Sequence, residues 1–247
     1  MCIAVYKPAG AQFPAKKTLK TCFYNNPDGA GYMYTDGDAV HIKKGFFSFS
    51  SFWKSLQKTR ESVGDSAPYV LHFRISTQGG IRADCCHPFP LSEDMNDLRQ
   101  LSTAARVGIV HNGIIPLTST YSRAVNYSDT MQFITDYLSL IITNGKTPTN
   151  EKTLALIGRL CESRLAILDA RGVCRLIGDG WRDNGGVWYS NGSYKPATIP
   201  ATATKKATTA HGLTFFDPLT DCPYGDDFEM CDQCEHWREC VEFYSMN

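Results

Sequence analysis

The sequence predicts an α+β fold with mainly antiparallel sheet, and three observations support this prediction. Predicted strands come first, followed by a helix, more strands, two helices and further strands. This order is not the strict alternation of strand and helix that parallel α/β folds require. The Asp36-Gly37 pair lies between two runs of strand-forming residues, which is typical of a β-hairpin. The 247 residues are 43% hydrophobic and 20% charged, so the chain can fill one large core.

The first half of the chain is predicted to contain strands and two helices. Phe52, Trp53 and Leu56 fall on one face of a helix over 48–61, and a nearby serine can cap its start. Runs rich in β-forming residues predict the strands. Residues 81–106 show neither pattern, and we expect them to be irregular. The other predicted elements are strands at 2–6, 32–35, 39–43, 69–75 and 107–110, with a short helix before residue 25.

The second half begins with the most strongly marked helix of the sequence. Ser128 is a natural N-cap, and Asp129 lies where the helix dipole favours a carboxylate. Apolar residues then recur at helical spacing, at Met131, Ile134, Leu138 and Ile141. A second helix is predicted over 151–163, and further strands are predicted over 165–169, 173–178 and 188–191.

Composition divides the chain into three parts. Residues 1–194 carry all the predicted strands and helices and are expected to form the domain. Residues 195–212 are rich in Ala, Thr, Lys and Pro, which is typical of a linker. Residues 213–247 form a short acidic tail that is rich in cysteine.

The charge balance favours no nucleic-acid or membrane partner. The chain has 25 basic and 25 acidic residues, so its formal net charge is zero. No apolar run is long enough to cross a bilayer, and the N-terminus lacks the pattern of a signal peptide. We therefore expect a cytoplasmic protein whose ten cysteines are reduced and available for catalysis or metal binding.

The second residue of the chain is a candidate nucleophile. Removal of Met1 would leave Cys2 with a thiol and a free α-amine on one residue. Such an amine titrates at about pH 7.7–8.0 in model peptides, so it can accept the proton of the thiol near neutrality. The alternative reading is a small buried residue in the first strand, which is a common role for cysteine.

Three further positions carry groups that could bind a substrate, and each has an ordinary structural reading. Arg74 follows a strand and could hold a carboxylate through two hydrogen bonds, or form a surface salt bridge. Asn112 and Gly113 could offer an amide and a backbone N–H to an oxyanion, or simply form a turn. Asp129 could bind an ammonium group, or only complement the helix dipole. Together these groups describe a pocket for the two charged ends and the carboxamide of glutamine.

The order of short motifs along the chain resembles the class II glutamine amidotransferases, which are N-terminal nucleophile hydrolases. The resemblance covers about residues 2–192. It is carried by Met1-Cys2, Asp28-Gly29-Ala30-Gly31, His72-Phe73-Arg74-Ile75-Ser76-Thr77, His87-Pro88, His111-Asn112-Gly113-Ile114-Ile115 and Ser128-Asp129-Thr130. It implies a four-layer αββα sandwich, in which two antiparallel sheets lie face to face between layers of helices.

The resemblance also implies a role for each matching residue. Cys2 would be the nucleophile, Arg74 would bind the α-carboxylate of glutamine, and Asp129 would bind its α-ammonium. Asn112 and the Gly113 N–H would form the oxyanion hole. The remaining binding-site residues implied are Thr77, Asn26 and Asp28, while His72 and His111 are read as structural. No cofactor is needed for this catalysis.

The chain resembles stand-alone members of the family more than those that build amino sugars. The latter have an aromatic residue and a histidine where this chain has Ile75 and Gln78. A stand-alone glutaminase would pass ammonia to a separate synthetase or transferase. Two alternatives are a hydrolase of γ-glutamyl amides and a binding module that keeps the fold without the activity.

The cysteine-rich tail is a candidate metal site. Four cysteines, one pair of them in a Cys-x-x-Cys spacing, could hold a structural zinc ion at Cys222, Cys231, Cys234 and Cys240. A metal would supply stability that so short a segment cannot obtain from a core of its own. An iron–sulfur cluster is a second possibility, and a metal-free tail with reduced thiols is the alternative.

Overall fold

A computed structural model describes residues 2–76, 80–118 and 127–196, which form helices and two antiparallel sheets. The helices are α1 (Lys16–Tyr24), α2 (Phe49–Val63), α3 (Met95–Arg99), α4 (Asp129–Phe133, continued through Ile134–Leu138 and Ser139–Ile141) and α5 (Glu151–Cys161). The strands are β1 (Ile3–Lys7), β2 (Ala30–Thr35), β3 (Val40–Phe46), β4 (Tyr69–Phe73), β5 (Phe89–Pro90), β6 (Ser102–Ala105), β7 (Val107–Asn112), β8 (Arg164–Asp169), β9 (Cys174–Ile177), β10 (Arg182–Asn184) and β11 (Val187–Tyr189).

The strands pair in an order that differs from their order along the chain. The larger sheet has seven strands in the order β10-β11-β1-β4-β2-β3-β6, and the smaller has four in the order β5-β7-β8-β9. All the pairings are antiparallel. The N-terminal strand β1 therefore lies inside the larger sheet, between β11 and β4. The predicted α+β class with mainly antiparallel sheet is confirmed.

Alternation of side chains along the strands divides the core into three clusters. Ile3 and Val5 of β1 pack in a cluster with residues of α1 and α2, whereas Ala4 points to the other face of the sheet. In the smaller sheet, Ile109 of β7 packs with residues of α4 and α5, and Val110 points the other way. Ala4 and Val110 belong to one shared cluster, so the inner faces of the two sheets contact each other.

Most of the predicted elements are present close to their expected bounds. Strands β2 and β3 form the hairpin expected around the Asp-Gly turn. Ser48 caps α2, and Ser128 caps α4, each accepting a hydrogen bond from the backbone N–H three residues on. The apolar stripe of α4 is buried at Met131, Ile134 and Leu138, although this helix contains a π-helical turn that the sequence pattern does not indicate.

The prediction that residues 81–106 are irregular was wrong. This segment contains β5, α3 and β6, and β6 forms the edge of the larger sheet by pairing with β3. The four residues of β6 are Ser-Thr-Ala-Ala and none is buried, so they carry little of the apolar alternation that marks a strand. The hairpin strand β10 was missed for the same reason, since all three of its residues are exposed.

Candidate active site

The thiol of Cys2 lies beside the end of strand β4. Cys2 immediately precedes β1, and strand alternation places it on the same inner face as Ala4. Its Sγ donates a hydrogen bond to the Ile75 carbonyl at 3.2 Å and accepts one from the Ile75 N–H at 3.3 Å. The backbone of Ile75, the residue next to Arg74, thus holds the candidate nucleophile in place.

The environment of the Cys2 thiol favours its protonated form. Burial raises the pKa of this thiol, while the Ile75 N–H and the positive charge of Arg74 lower it. Burial has the largest effect, so the pKa lies above its ordinary value. A reaction that uses the thiolate near neutral pH therefore needs a base close to the sulfur.

Arg74 is buried at the point where β4 enters the next loop. Its Nη1 donates to the Gly80 carbonyl at 2.6 Å. Thr77, which the resemblance assigns to the binding site, lies outside the described residues. The backbone of Arg74 donates to Gly29 O at 2.8 Å and accepts from Asp28 N at 2.9 Å.

The loop that contains Asn26 and Asp28 packs against this strand end. Asp28 Oδ2 accepts from the Ser76 N–H at 2.7 Å, which ties the loop to the residue after Ile75. Asn26 Nδ2 donates to Cys22 O at 2.8 Å, and its buried Oδ1 has no hydrogen-bond partner in the part of the chain that the structure describes. The loop therefore supports the backbone to which the Cys2 thiol is bound.

Glycine is required at position 29 in this loop. Gly29 has φ +128°, and a Cβ added there would lie 2.5 Å from the sulfur of Cys86. Both the backbone conformation and the close contact therefore exclude a larger residue. The close approach brings the loop against the segment before β5, which the sequence pattern does not reveal.

Asn112 is linked to the N-terminal strand through a serine. Its Nδ2 lies 2.7 Å from Ser190 Oγ, and the same hydroxyl accepts the Ala4 N–H at 2.8 Å. The Ser190 N–H donates in turn to Ala4 O at 2.9 Å. The next residue, Asn191, donates from Nδ2 to the carbonyl of Cys2 at 2.6 Å. Two adjacent polar residues thus connect the candidate nucleophile to the candidate oxyanion-hole amide.

Sequence reasoning missed this role of Ser190 and Asn191. The sequence pattern predicts both residues only as the end of the last strand. Their one sequence signal is a pair of small polar residues directly after the apolar run of β11. Such a pair is common at strand ends, because Ser and Asn favour turns, so the pattern alone does not identify a site.

The turn after β7 depends on Gly113. This residue has φ +146°, and an added Cβ would lie 2.6 Å from Cβ of Ser163. Only glycine adopts this conformation without strain and also leaves room for its neighbour. The sequence Asn112-Gly113 therefore places a side-chain amide directly before a turn that requires glycine.

Asp129 is buried at the N-terminus of α4. Its Oδ2 accepts from the Ile115 N–H at 2.7 Å, and its Oδ1 accepts from the Thr130 N–H at 2.8 Å. The carboxylate thus ties the chain that follows Gly113 to the start of the helix. Each carboxylate oxygen has two lone-pair positions, so capacity remains for a cationic ligand.

Three buried histidines lie next to these groups. The ring centroids of His72 and His87 are 4.3 Å apart, and those of His87 and His111 are 6.1 Å apart. Both His87 and His111 contact the hydroxyl of Thr130, at 3.2 and 2.8 Å. Burial lowers the pKa of all three rings, that of His72 to about 3, so they are neutral near pH 7.

The four groups that were predicted to act together lie along one path of hydrogen bonds and short backbone stretches. Cys2 contacts the residue next to Arg74, and its strand reaches Asn112 through Ser190. Asp129 then holds the backbone two residues beyond Gly113. The arrangement can hold a nucleophile, an amide donor, a cation and an anion at one end of the two sheets.

Metal binding and membrane insertion have no structural support in the described ranges. Within residues 2–76, 80–118 and 127–196, no group of three or more His, Cys, Asp or Glu side chains is placed to hold a metal ion. The four tail cysteines, at 222, 231, 234 and 240, lie outside these ranges. None of the helices described has the length and apolar character that a bilayer crossing requires.

Comparison with known proteins leaves the family open. No protein-family model matches the sequence, and no curated protein is significantly similar to it.

Proposed function

We propose that this protein is a class II glutamine amidotransferase, a glutaminase with Cys2 as its N-terminal nucleophile. The observation that carries the proposal is the hydrogen-bonded path through the site. It holds the Cys2 thiol against the residue after Arg74 and links the strand of Cys2 to Asn112. A cysteine with only a packing role would need neither a neighbouring arginine nor an asparagine amide linked to its strand.

The proposed reaction begins after Met1 has been removed. The freed α-amine of Cys2 takes the thiol proton, and the thiolate attacks the carboxamide carbon of glutamine. Asn112 Nδ2 and the Gly113 N–H stabilise the oxyanion of the tetrahedral intermediate. The carbon–nitrogen bond then breaks, the protonated amine of Cys2 returns a proton, and ammonia leaves. Water hydrolyses the remaining thioester and releases glutamate.

Protein side chains of opposite charge would bind the two charged groups at the far end of the substrate. Arg74 would bind the α-carboxylate, and Asp129 would bind the α-ammonium. Both side chains are more than nine-tenths buried, so their charges are weakly screened by water. Substrates that lack a free amino-acid end, such as the interior of a peptide, would offer these two side chains no group of opposite charge.

The packing of the core supports the four-layer αββα sandwich that the resemblance implies. One cluster lies between α1–α2 and the larger sheet, one between the sheets, and one between the smaller sheet and α4–α5. We propose that this is the fold of an N-terminal nucleophile hydrolase. The ammonia would go to a separate synthetase or transferase.

The proposal is tested with purified protein that carries no N-terminal extension. Intact mass spectrometry first establishes that Met1 is absent, and ammonia release from glutamine is then measured. We expect turnover, covalent labelling of Cys2 by a glutamine-like electrophile, and loss of both in Cys2→Ala. Cys174→Ala changes another partly buried cysteine and should keep both.

Two results would contradict the proposal. Wild-type protein that lacks Met1 but releases no ammonia would support a binding module or a hydrolase of another γ-glutamyl amide. Labelling of a residue other than Cys2 would show that the nucleophile is wrongly assigned.

A further inference from the structure

The hydroxyl of Ser190 lies between two groups of the candidate site. Ser190 is fully buried directly after β11, and its Oγ is 2.8 Å from the Ala4 N–H. The same oxygen is 2.7 Å from the terminal amide of Asn112. A serine hydroxyl can donate one hydrogen bond and accept two. Whether Ser190 donates its proton to Asn112 or accepts from it therefore depends on whether Oδ1 or Nδ2 of Asn112 faces the hydroxyl.

Counting donors and acceptors favours one orientation of the Asn112 amide. If Nδ2 faces Ser190, the hydroxyl accepts two N–H groups, and the buried Oδ1 has no hydrogen-bond partner among the described residues. If the amide is turned by half a rotation, Ser190 donates its proton to Oδ1 and still accepts the Ala4 N–H. The turned amide therefore gives both the buried oxygen and the Ser190 proton a partner, at the expense of the hydrogen bond from Nδ2. The N–H bonds of Nδ2 are then left to face the site.

We propose that Ser190 is a positioning residue that orients the Asn112 amide. Its hydroxyl donates a hydrogen bond to Oδ1. The two N–H bonds of Nδ2 then point to the position that Oδ1 would face if the amide had the opposite orientation. This inference rests on the proposed function, in which those N–H bonds stabilise an oxyanion. An amide facing the other way would present an oxygen to the developing negative charge and would oppose the reaction.

The adjacent residue strengthens the inference. Asn191 donates to the carbonyl of Cys2 at 2.6 Å, and the Ser190 N–H donates to Ala4 O at 2.9 Å. The pair therefore holds the backbone of the nucleophile on one side and the oxyanion donor on the other. A shift between these two groups would lower the rate even if the substrate stayed bound, because catalysis depends on their alignment.

The kinetic test compares Ser190→Ala in two backgrounds. In the wild-type background we expect kcat for glutamine to fall about 10- to 100-fold, somewhat less than the loss of a whole oxyanion donor, with KM changed by less than about threefold. In the Asn112→Ala background, adding Ser190→Ala should leave kcat within about twofold of the value for Asn112→Ala alone. An equal loss of kcat in both backgrounds would overturn the proposal, because it would show that Ser190 acts only through general stability.

Asn112→Asp provides a second kinetic variant. Its carboxylate can still accept the Ser190 proton but has no N–H to offer, so kcat should be as low as in Asn112→Ala. A kcat close to the wild-type value would overturn the role of the N–H donors.

Neutron diffraction of deuterated wild-type protein tests the orientation without any activity measurement. The Ser190 deuterium should point to Asn112 Oδ1, and the amide deuteriums should face away from Ser190. Amide deuteriums pointing at Ser190 Oγ would overturn the proposal. If the orientation is as expected but the wild-type protein releases no ammonia, the proposed function fails while the structural assignment stands.

Discussion

At the scale of single residues, the charged groups of the site also support the backbone around them. Arg74 donates to the Gly80 carbonyl, and Asp129 accepts from the N–H groups of Ile115 and Thr130. These contacts hold the two side chains in place before any ligand binds. Such preorganisation reduces the conformational entropy that substrate binding would otherwise cost.

Removal of the Arg74 guanidinium should mainly weaken substrate binding. We expect Arg74→Ala to raise KM for glutamine about 10- to 100-fold, the effect of losing charge-assisted hydrogen bonds, with a smaller change in kcat. Steady-state ammonia release measures both constants. Arg82→Ala, which removes an exposed arginine paired with Asp84, is the matched control and should leave KM unchanged. An unaltered KM in Arg74→Ala would exclude Arg74 from carboxylate binding.

At the scale of elements, the side chain of one buried lysine connects residues 81–106, which show no regular pattern in the sequence, to the larger sheet. Lys44 of β3 is buried, and its Nζ donates to Asp84 O at 3.0 Å and Leu98 O at 2.6 Å. The ammonium also lies 3.9 Å from the ring centroid of Phe89. Burial lowers the pKa of Lys44 to about 7. The side chain thus joins the 3-10 turn at 83–85, helix α3 and strand β5 to the larger sheet.

Truncation of this lysine should destabilise the fold. Lys44→Ala leaves two carbonyls without their donor and opens a cavity, so we expect the free energy of unfolding to fall by about 2–4 kcal/mol. Urea unfolding followed by circular dichroism measures the change. Lys58→Ala alters an exposed lysine on α2 and should stay within about 0.5 kcal/mol of the wild type. Equal stabilities of the two variants would show that Lys44 does not hold this segment.

At the scale of the whole molecule, the buried histidines connect the two sheets to a helix. His72 belongs to β4 of the larger sheet, His111 to β7 of the smaller, and His87 lies between them beside Thr130 of α4. All three rings are neutral when folded, because burial lowers their pKa values. In the unfolded chain each would take up a proton near its ordinary pKa of about 6.5.

This difference predicts a loss of stability in mild acid. Below about pH 6.5 the unfolded state binds more protons than the folded state, so the free energy of unfolding decreases as the pH falls. Above that pH the buried histidines do not lower the free energy of unfolding. Below it, the decrease caused by His72 continues until the pH reaches its folded pKa of about 3. For His72 we expect a decrease on the order of 1 kcal/mol per pH unit, measured by urea unfolding between pH 7 and pH 5.

Variants separate this effect from general acid sensitivity. His72→Asn should reduce the pH dependence, whereas His41→Asn, which changes a partly exposed histidine paired with Asp36, should change it much less. A free energy of unfolding that stays constant from pH 7 to pH 5 would contradict the prediction.

Local patterns predicted the elements whose residues are themselves buried. Strands β1, β2, β4, β7 and β8 are apolar runs, and α2 and α4 carry serine caps and apolar faces, so their identity was readable from the sequence. Strands β6 and β10 were not readable, because they are exposed and depend on pairing with β3 and β11. Their structure comes from partners distant in the chain rather than from their own residues.

In the candidate site, too, some residues could be predicted from the sequence and others could not. Cys2, Arg74, Asn112 and Asp129 were identified because each reactive or charged residue type stands at a strand end or helix start in the sequence. Ser190 and Asn191 were not identified, since their importance comes from hydrogen bonds to Ala4, Asn112 and Cys2. Those contacts join residues up to 189 positions apart, a separation over which no periodicity or motif carries information.

By itself, the sequence determined the fold class, the main strands and helices, and the chemical groups available for a reaction. It could do so because side-chain alternation, helix capping and residue chemistry are properties of neighbouring residues. Only the tertiary structure decided the order of strands in the sheets, the folding of residues 81–106 and the serine link between Cys2 and Asn112. These features result from packing two sheets face to face, which brings distant parts of the chain within hydrogen-bonding distance.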